Sequence, residues 1–135
     1  AINNFLVVGT GNKVEDFGVG FFTKYGDGGV DISPIADLMK SEVRHIGKEM
    51  GINNEIITAD PTDGLWDDSR TDEVQIGATY NELEWAMNEL KKEKKGSDFN
   101  GREKEVFKIL LNFNSSNKHK MVPIPICEIP NDLRV

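Results

Sequence analysis

A lysine and an aspartate framing a glycine-rich, aromatic-bearing run are suited to hold an anionic ligand that carries a ring. That run is Gly20-Phe21-Phe22-Thr23-Lys24-Tyr25-Gly26-Asp27-Gly28-Gly29-Val30-Asp31. Glycine lets backbone approach a ligand closely, and the charged groups then fix its orientation. Lys24 could meet a phosphate or a carboxylate, and Asp31 a ribose hydroxyl or an amide. Phe21, Phe22 and Tyr25 could wall a flat ring. The competing reading makes the aromatics core and the charges solvated, and the residues alone leave both open. The run contains neither a GxGxxG nor a Walker sequence, so neither of those phosphate loops is assigned.

Four further constellations carry chemistry. Gly9-Thr10-Gly11-Asn12 with Glu15 lies at the C-terminal end of an apolar run, where open α/β sheets bind ligands. Thr10 can donate a hydrogen bond there, and Glu15 can hold a hard cation such as Mg²⁺, which favours carboxylate and phosphate oxygens. From spacing alone a plain strand-to-helix turn with exposed acids is the favoured reading. Lys40 flanks the apolar stripe of a helix, where lysines commonly lie along apolar surface with the charge in water. Thr62 and Trp66 sit in an acidic loop that could close over a ligand, though a plain exposed loop is the default, and His119-Lys120 could form a cationic tip, though a surface pair of this kind is usually only solvated. His45 reads as structural. The two histidines and one cysteine lack zinc-site spacing, and no nucleophile elbow or Ser-His-Asp set is present.

These residues need a frame. Phe5-Leu6-Val7-Val8-Gly9 reads as a strand buried on both faces, as in the centre of a parallel sheet. Ser33 and Pro34 are a cap and a first helical residue. Ile35, Leu38, Met39, Val43, Ile46 and Met50 then form one stripe of a helix over 34–50, ended by Gly51. Burying that stripe is worth roughly 10 kcal/mol gross. Glu55 to Ala59 is a candidate short strand, and 60–72 a long acidic loop, as lids often are. Thr79-Tyr80-Asn81-Glu82 is a capping-box pattern opening a helix to about Lys92, with Leu83, Ala86, Met87 and Leu90 inward. A third helix runs from about Gly101 to Phe113, with Val106, Ile109, Leu110 and Phe113 inward. Residues 114–120 read as a polar loop and 122–135 as an extended tail. A central strand needs neighbours, and this chain offers few, since Pro123 and Pro125 would interrupt a ladder. The expectation is an α/β protein whose earlier strands precede this chain.

Composition bounds the partners. The chain has 135 residues and a net charge of −7, enough for one domain and unsuited to broad nucleic-acid or anionic-membrane binding. An anionic ligand must therefore be held by local cations. Cys127 is the single cysteine, which excludes an intrachain disulfide, and no apolar run reaches membrane-span length. A cytoplasmic location is expected.

Read in order, these motifs resemble the C-terminal half of the ammonia-dependent NAD⁺ synthetases. The resemblance rests on Val7-Val8-Gly9-Thr10, on Gly20 to Asp31, on Ile32-Ser33-Pro34-Ile35 with Lys40, and on Pro61-Thr62-Asp63-Gly64-Leu65-Trp66-Asp67-Asp68. It continues through Asp72-Glu73, Ile76-Gly77-Ala78-Thr79-Tyr80 and His119-Lys120-Met121-Val122-Pro123. The resemblance implies residues 1–135 as the C-terminal portion of one synthetase domain. Its implied fold is α/β, a Rossmann-like parallel sheet of the adenine nucleotide alpha hydrolase-like kind with flanking helices, incomplete here. The implied reaction adenylates the nicotinate carboxylate of deamido-NAD with ATP and Mg²⁺, after which ammonia displaces AMP to give NAD⁺. Matching positions imply Thr10, Lys40 and Thr62 at ATP, Glu15 at Mg²⁺, and Lys24, Asp31, His119 and Lys120 at deamido-NAD. No catalytic residue is assigned. The family's Ser-Gly-Gly-x-Asp-Ser loop belongs to the first half, so the chain alone is expected to be inactive. A homodimer is implied as well. A glutamine-dependent synthetase and a non-catalytic nucleotide-binding or dimerisation fragment remain alternatives.

Overall fold

The structure is a computed structural model that describes residues 3–134. Six α-helices are seen among those residues: α1 (Lys40–Glu49), α2 (Asn54–Ile57), α3 (Asp72–Ile76), α4 (Tyr80–Lys91), α5 (Gly101–Ser116) and α6 (Lys118–Met121). A wide π-helical turn, Val14–Val19, precedes them.

The core lies where α4, α5 and the π-turn meet. Leu83, Ala86 and Met87 of α4 face Val106, Phe107 and Leu110 of α5, with Val14 and Val19 closing the third side. Trp85 stacks edge-on against Phe99 at 5.1 Å, and Phe99 against Phe107 at 5.0 Å. The helix α4 starts where the sequence predicts. Thr79 accepts the Glu82 N–H at 3.2 Å, and the Glu82 carboxylate accepts the Thr79 N–H at 2.8 Å. Arg102 then ties α5 to this start, donating to both Glu82 oxygens and to the Gly77 carbonyl. Leu90, expected inward, is exposed, and Phe107 takes an inward place that the stripe had not included.

The expected sheet is reduced, among the described residues, to a single parallel bridge between Val8 and Ile32. Gly9 donates to the Ile32 carbonyl at 2.7 Å and Asp31 to that of Val7 at 2.9 Å. Phe5, Leu6, Val7 and Val8 are not buried on both faces; they are 80, 65, 54 and 55% exposed. The physical reason is the number of neighbours. One bridging segment satisfies one edge of the run and covers neither face. Gly9 is required at this bridge, because a Cβ there would sit 2.9 Å from the Val30 side chain.

Three other elements differ from expectation. The helix predicted over 34–50 begins only at Lys40. The Leu38 carbonyl is taken by the Lys13 N–H at 2.8 Å, and the Lys13 ammonium pairs with Asp37, which pulls 34–38 into turns. The N-cap is Met39, whose N–H donates to Glu42 at 2.7 Å, rather than Ser33. Of the predicted stripe only Met39 is buried, while Ile46 and Met50 are exposed, so the expected burial energy is not realised within this chain. The candidate strand 55–59 is instead α2, capped by the Asn53 side chain on the Glu55 N–H. The polar loop 114–120 is taken up by the end of α5 and by α6. No helix among the described residues is long and apolar enough to cross a membrane.

Candidate functional site

Two groupings emerge from the predicted residues. The first begins with Asn12, which is 2% exposed and whose side-chain oxygen accepts the Val14 and Glu15 N–H groups. That capping sets the π-turn and aims Glu15 at the head of α1. There the Lys40 ammonium donates to Glu15 Oε1 at 3.0 Å, and the Tyr80 hydroxyl donates to the same oxygen at 2.7 Å. The Tyr80 hydroxyl also lies 3.2 Å from Asp72 Oδ2, and its ring centroid is 5.0 Å from the Lys40 nitrogen. Lys40 and Thr62 line one cleft of about 440 Å³, together with Val43, Arg44 and Ile57. Thr62 donates to the Arg70 carbonyl at 3.2 Å and accepts the Gly64 N–H, which folds the acidic loop.

The electrostatics follow from that packing. Burial pushes the Glu15 carboxyl up, but the Tyr80 hydroxyl and the Lys40 charge outweigh it and hold it below the ordinary range. Burial raises Asp72, only partly offset by its hydrogen bond to Tyr80. Burial, then the charges of Glu15 and Asp27, push Asp16 up to about 6. Burial and the neighbouring Glu15 carboxylate raise the Tyr80 hydroxyl, which stays protonated.

The second grouping gathers about the glycine-rich run. Lys120 donates to the Gly20 and Phe22 carbonyls at 3.0 and 2.8 Å and lies 5.5 Å from the Phe22 ring centroid. Lys24 donates to the His119 carbonyl, so the loop closes on α6. Asn114 of α5 and Asn117, which caps the end of that helix, reach to the carbonyls of Phe17, Gly18 and Val19. Gly20 has φ +64°, a left-handed conformation, and a Cβ there would lie 2.5 Å from that of Asn117. An open cleft of about 650 Å³ runs from Phe21, Phe22 and Lys120 across to Trp66 in the acidic loop.

The predicted residues therefore divide. Glu15, Lys40 and Thr62 come to one side, and Lys24, His119 and Lys120 to another. Asp31 is not with them: its carboxylate accepts the Val7 N–H at 2.8 Å and serves the bridge. Thr10 is exposed in the turn after Gly9. Tyr80 and Asp72, which brace this grouping from behind, are not among the site residues the sequence singles out. Tyr80 stands at a helix start and reads as core, and the available signal was a hydroxyl inside an otherwise apolar stripe. No group of three or more metal-ligating side chains is gathered among the described residues. Glu15 Oε2 accepts only the Asn12 N–H, at 3.3 Å, so one carboxylate oxygen keeps acceptor capacity. One carboxylate of that kind fits Mg²⁺, which takes its other ligands from substrate phosphates and water.

Comparison with known proteins places this arrangement in a class. The fold is similar to part of two solved synthetases of the Rossmann-like class, although the sheet itself is not formed among the described residues. An NMN synthetase from Francisella tularensis aligns over 95% of this chain and 48% of its own, with a TM-score of 0.72 and 30% identity. An NH3-dependent NAD synthetase from Campylobacter jejuni, in complex with nitrate, aligns over 94% and 47%, with a TM-score of 0.64 and 25% identity. The NAD synthase family profile matches residues 1–123, and the chain belongs to that family. Among curated relatives, the NH(3)-dependent NAD(+) synthetase of Archaeoglobus fulgidus is 38% identical over 126 residues, 93% of this chain and 48% of that protein. That of Sulfurisphaera tokodaii is 35% identical over 124 residues, 89% of this chain and 44% of the relative. That of Methanococcoides burtonii is 51% identical over 79 residues, 58% and 29%. The chain thus spans less than half the length of these relatives.

Proposed function

We infer that this chain supplies the C-terminal part of an ammonia-dependent NAD⁺ synthetase. The observation that carries the reading is that Lys40 and Thr62, far apart in sequence, line one cleft with Glu15 bound to Lys40. In this reading ATP occupies that cleft, and deamido-NAD lies along the face carrying Lys24, His119 and Lys120. A nicotinate carboxylate oxygen attacks the α-phosphorus of ATP, and pyrophosphate leaves. The nitrogen of ammonia then attacks the acyl carbon, the bond to AMP breaks, and the nitrogen gives up a proton.

The chain's residues act by position and charge. Lys40 offsets the repulsion between two anions brought together, a contribution that grows as water is excluded. To reach a phosphate, its ammonium needs only to share donors, because it has three and Glu15 takes one. Lys24 and Lys120 hold the second substrate's anionic groups, while Phe22 and Trp66 offer apolar walls. The loop 60–71 covers the reacting atoms, which protects an acyl-adenylate from hydrolysis. Magnesium, held by Glu15 and substrate phosphates, supplies further charge neutralisation when bound.

The test is a product assay. The chain is mixed with ATP, Mg²⁺, deamido-NAD and ammonium, with and without a separately made first half of the domain. NAD⁺ and AMP are expected only with the first half. Adenylation of another acid, with deamido-NAD ignored, overturns the reading. A second reading, favoured by the likeness to the Francisella NMN synthetase, has the acid of NMN as the substrate. Parallel assays with nicotinate mononucleotide decide between them.

A further inference from the structure

Tyr80 touches both charged residues of the first grouping. Its hydroxyl donates to Glu15 at 2.7 Å, and its ring lies under the Lys40 ammonium at 5.0 Å. It is 2% exposed, so its hydroxyl is costly unless paired. A phenylalanine would fill the same space without that cost. The hydroxyl's other neighbour is Asp72 Oδ2 at 3.2 Å, whose second oxygen is buried without a hydrogen-bond partner.

Asp72 is also placed at a junction. Its backbone N–H donates to the Pro61 carbonyl at 3.0 Å and pinches the neck of the acidic loop that carries Thr62. The Tyr80 N–H donates to Glu73 at 2.8 Å, so the tyrosine backbone is fixed to the same short helix. One side chain therefore joins three pieces: the turn bearing Glu15, the head of α1 bearing Lys40, and the neck of the loop bearing Thr62.

We propose that Tyr80, seated by Asp72, is a positioning residue that holds Glu15 and Lys40 in register with the Thr62 loop. It does not meet the substrate. The inference rests on the ATP site described above and assigns that site's geometry to a residue outside it.

The variant Tyr80→Phe keeps the ring and removes the hydroxyl. It is compared with wild type in the complex of this chain and the first half, after circular dichroism has checked that both are folded. The ATP and Mg²⁺ concentrations for half-maximal rate should each rise about tenfold, the scale of one lost charge-assisted hydrogen bond. The half-saturating deamido-NAD concentration should stay within about twofold. Unchanged ATP and Mg²⁺ dependence, or an equal loss for all substrates, overturns the proposal. Hydrogen exchange on this chain alone gives a readout that needs no turnover. In Tyr80→Phe the amides of Asn12 and Asp72 should exchange faster together while α5 is unaffected. If wild type makes no product, the ATP reading fails, and the exchange result still decides whether Tyr80 holds these segments. Unchanged exchange at both amides refutes that it does.

Discussion

Gly20 offers the sharpest test of how the glycine-rich run is held, because two separate costs can be resolved there. The residue has φ +64°, and a Cβ would lie 2.5 Å from Asn117 Cβ and 2.8 Å from Met121 Cε. The left-handed conformation costs an alanine about 1–2 kcal/mol, offset by roughly 0.4–1 kcal/mol from the stiffer unfolded chain. The contact adds more. Moving Asn117 breaks its 2.9 Å hydrogen bond to the Val19 carbonyl, in a buried residue. A lost bond and a stranded acceptor together cost about 2 kcal/mol. Gly20→Ala should therefore destabilise by about 3 kcal/mol. Gly51 and Gly64 provide the control: both have positive φ, +73° and +65°, and open space where a Cβ would go. Gly51→Ala and Gly64→Ala should cost only the conformational part, about 1 kcal/mol. Urea unfolding followed by circular dichroism, fitted with a shared slope, measures all three. If Gly20→Ala falls within about 0.5 kcal/mol of the two controls, the Asn117 contact carries no energy. The claim that α5 seats the loop is then wrong.

Three other outcomes follow from the geometry. Lys24→Met should raise half-saturating deamido-NAD about tenfold and leave that for ATP unchanged, read from initial rates of NAD⁺ formation in the complex with the first half. The Glu82 carboxyl is held down to about 2, first by its bonds to Arg102 and then by the Thr79 N–H. A depressed acid stabilises above its unfolded value of 4.5 and loses that contribution as pH falls toward 2, so Glu82→Gln should flatten acid unfolding across that window. Of the two tryptophans, Trp66 is exposed with Arg70 stacked on it at 4.4 Å, whereas Trp85 packs on Phe99. Saturating Mg-ATP should shield Trp66 from acrylamide and leave Trp85 unaltered, and Trp66→Phe should abolish the change; equal shielding of both refutes loop closure.

What could be read from the sequence was mainly what short segments decide for themselves. The Thr79–Glu82 box closes between residues three apart, so its signal survives any change in tertiary surroundings. Ser33-Pro34 carried a local signal of the same kind and lost. A partner from elsewhere, the Lys13 N–H, takes the Leu38 carbonyl that a helix would have used. Residues 55–59 failed differently: so short a segment, with Ile56 and Ile57 at its centre, suits a strand or a helical turn, and the Asn53 cap decides for the turn. Tyr80 was hidden because its partner Glu15 lies 65 residues away, a pairing without periodicity.

The exposed run at Phe5 to Val8 connects the fold to the site. A parallel sheet buries its strands on both faces, and the apolar sequence of this run fits such a place. In this chain it has one bridging neighbour and remains exposed. The site residues on the helical side depend little on that bridge. Glu15, Lys40 and Tyr80 are fixed by the π-turn, α1 and α4, through contacts internal to the described residues. Thr10 and Asp31 depend on it directly: one follows Gly9, and the other spends its carboxylate on the Val7 N–H. Supplying further strands to this edge would therefore reorder Thr10 and Asp31 first. The Lys40–Glu15–Tyr80 cluster, held by the π-turn, α1 and α4, would keep its geometry while that edge is rearranged.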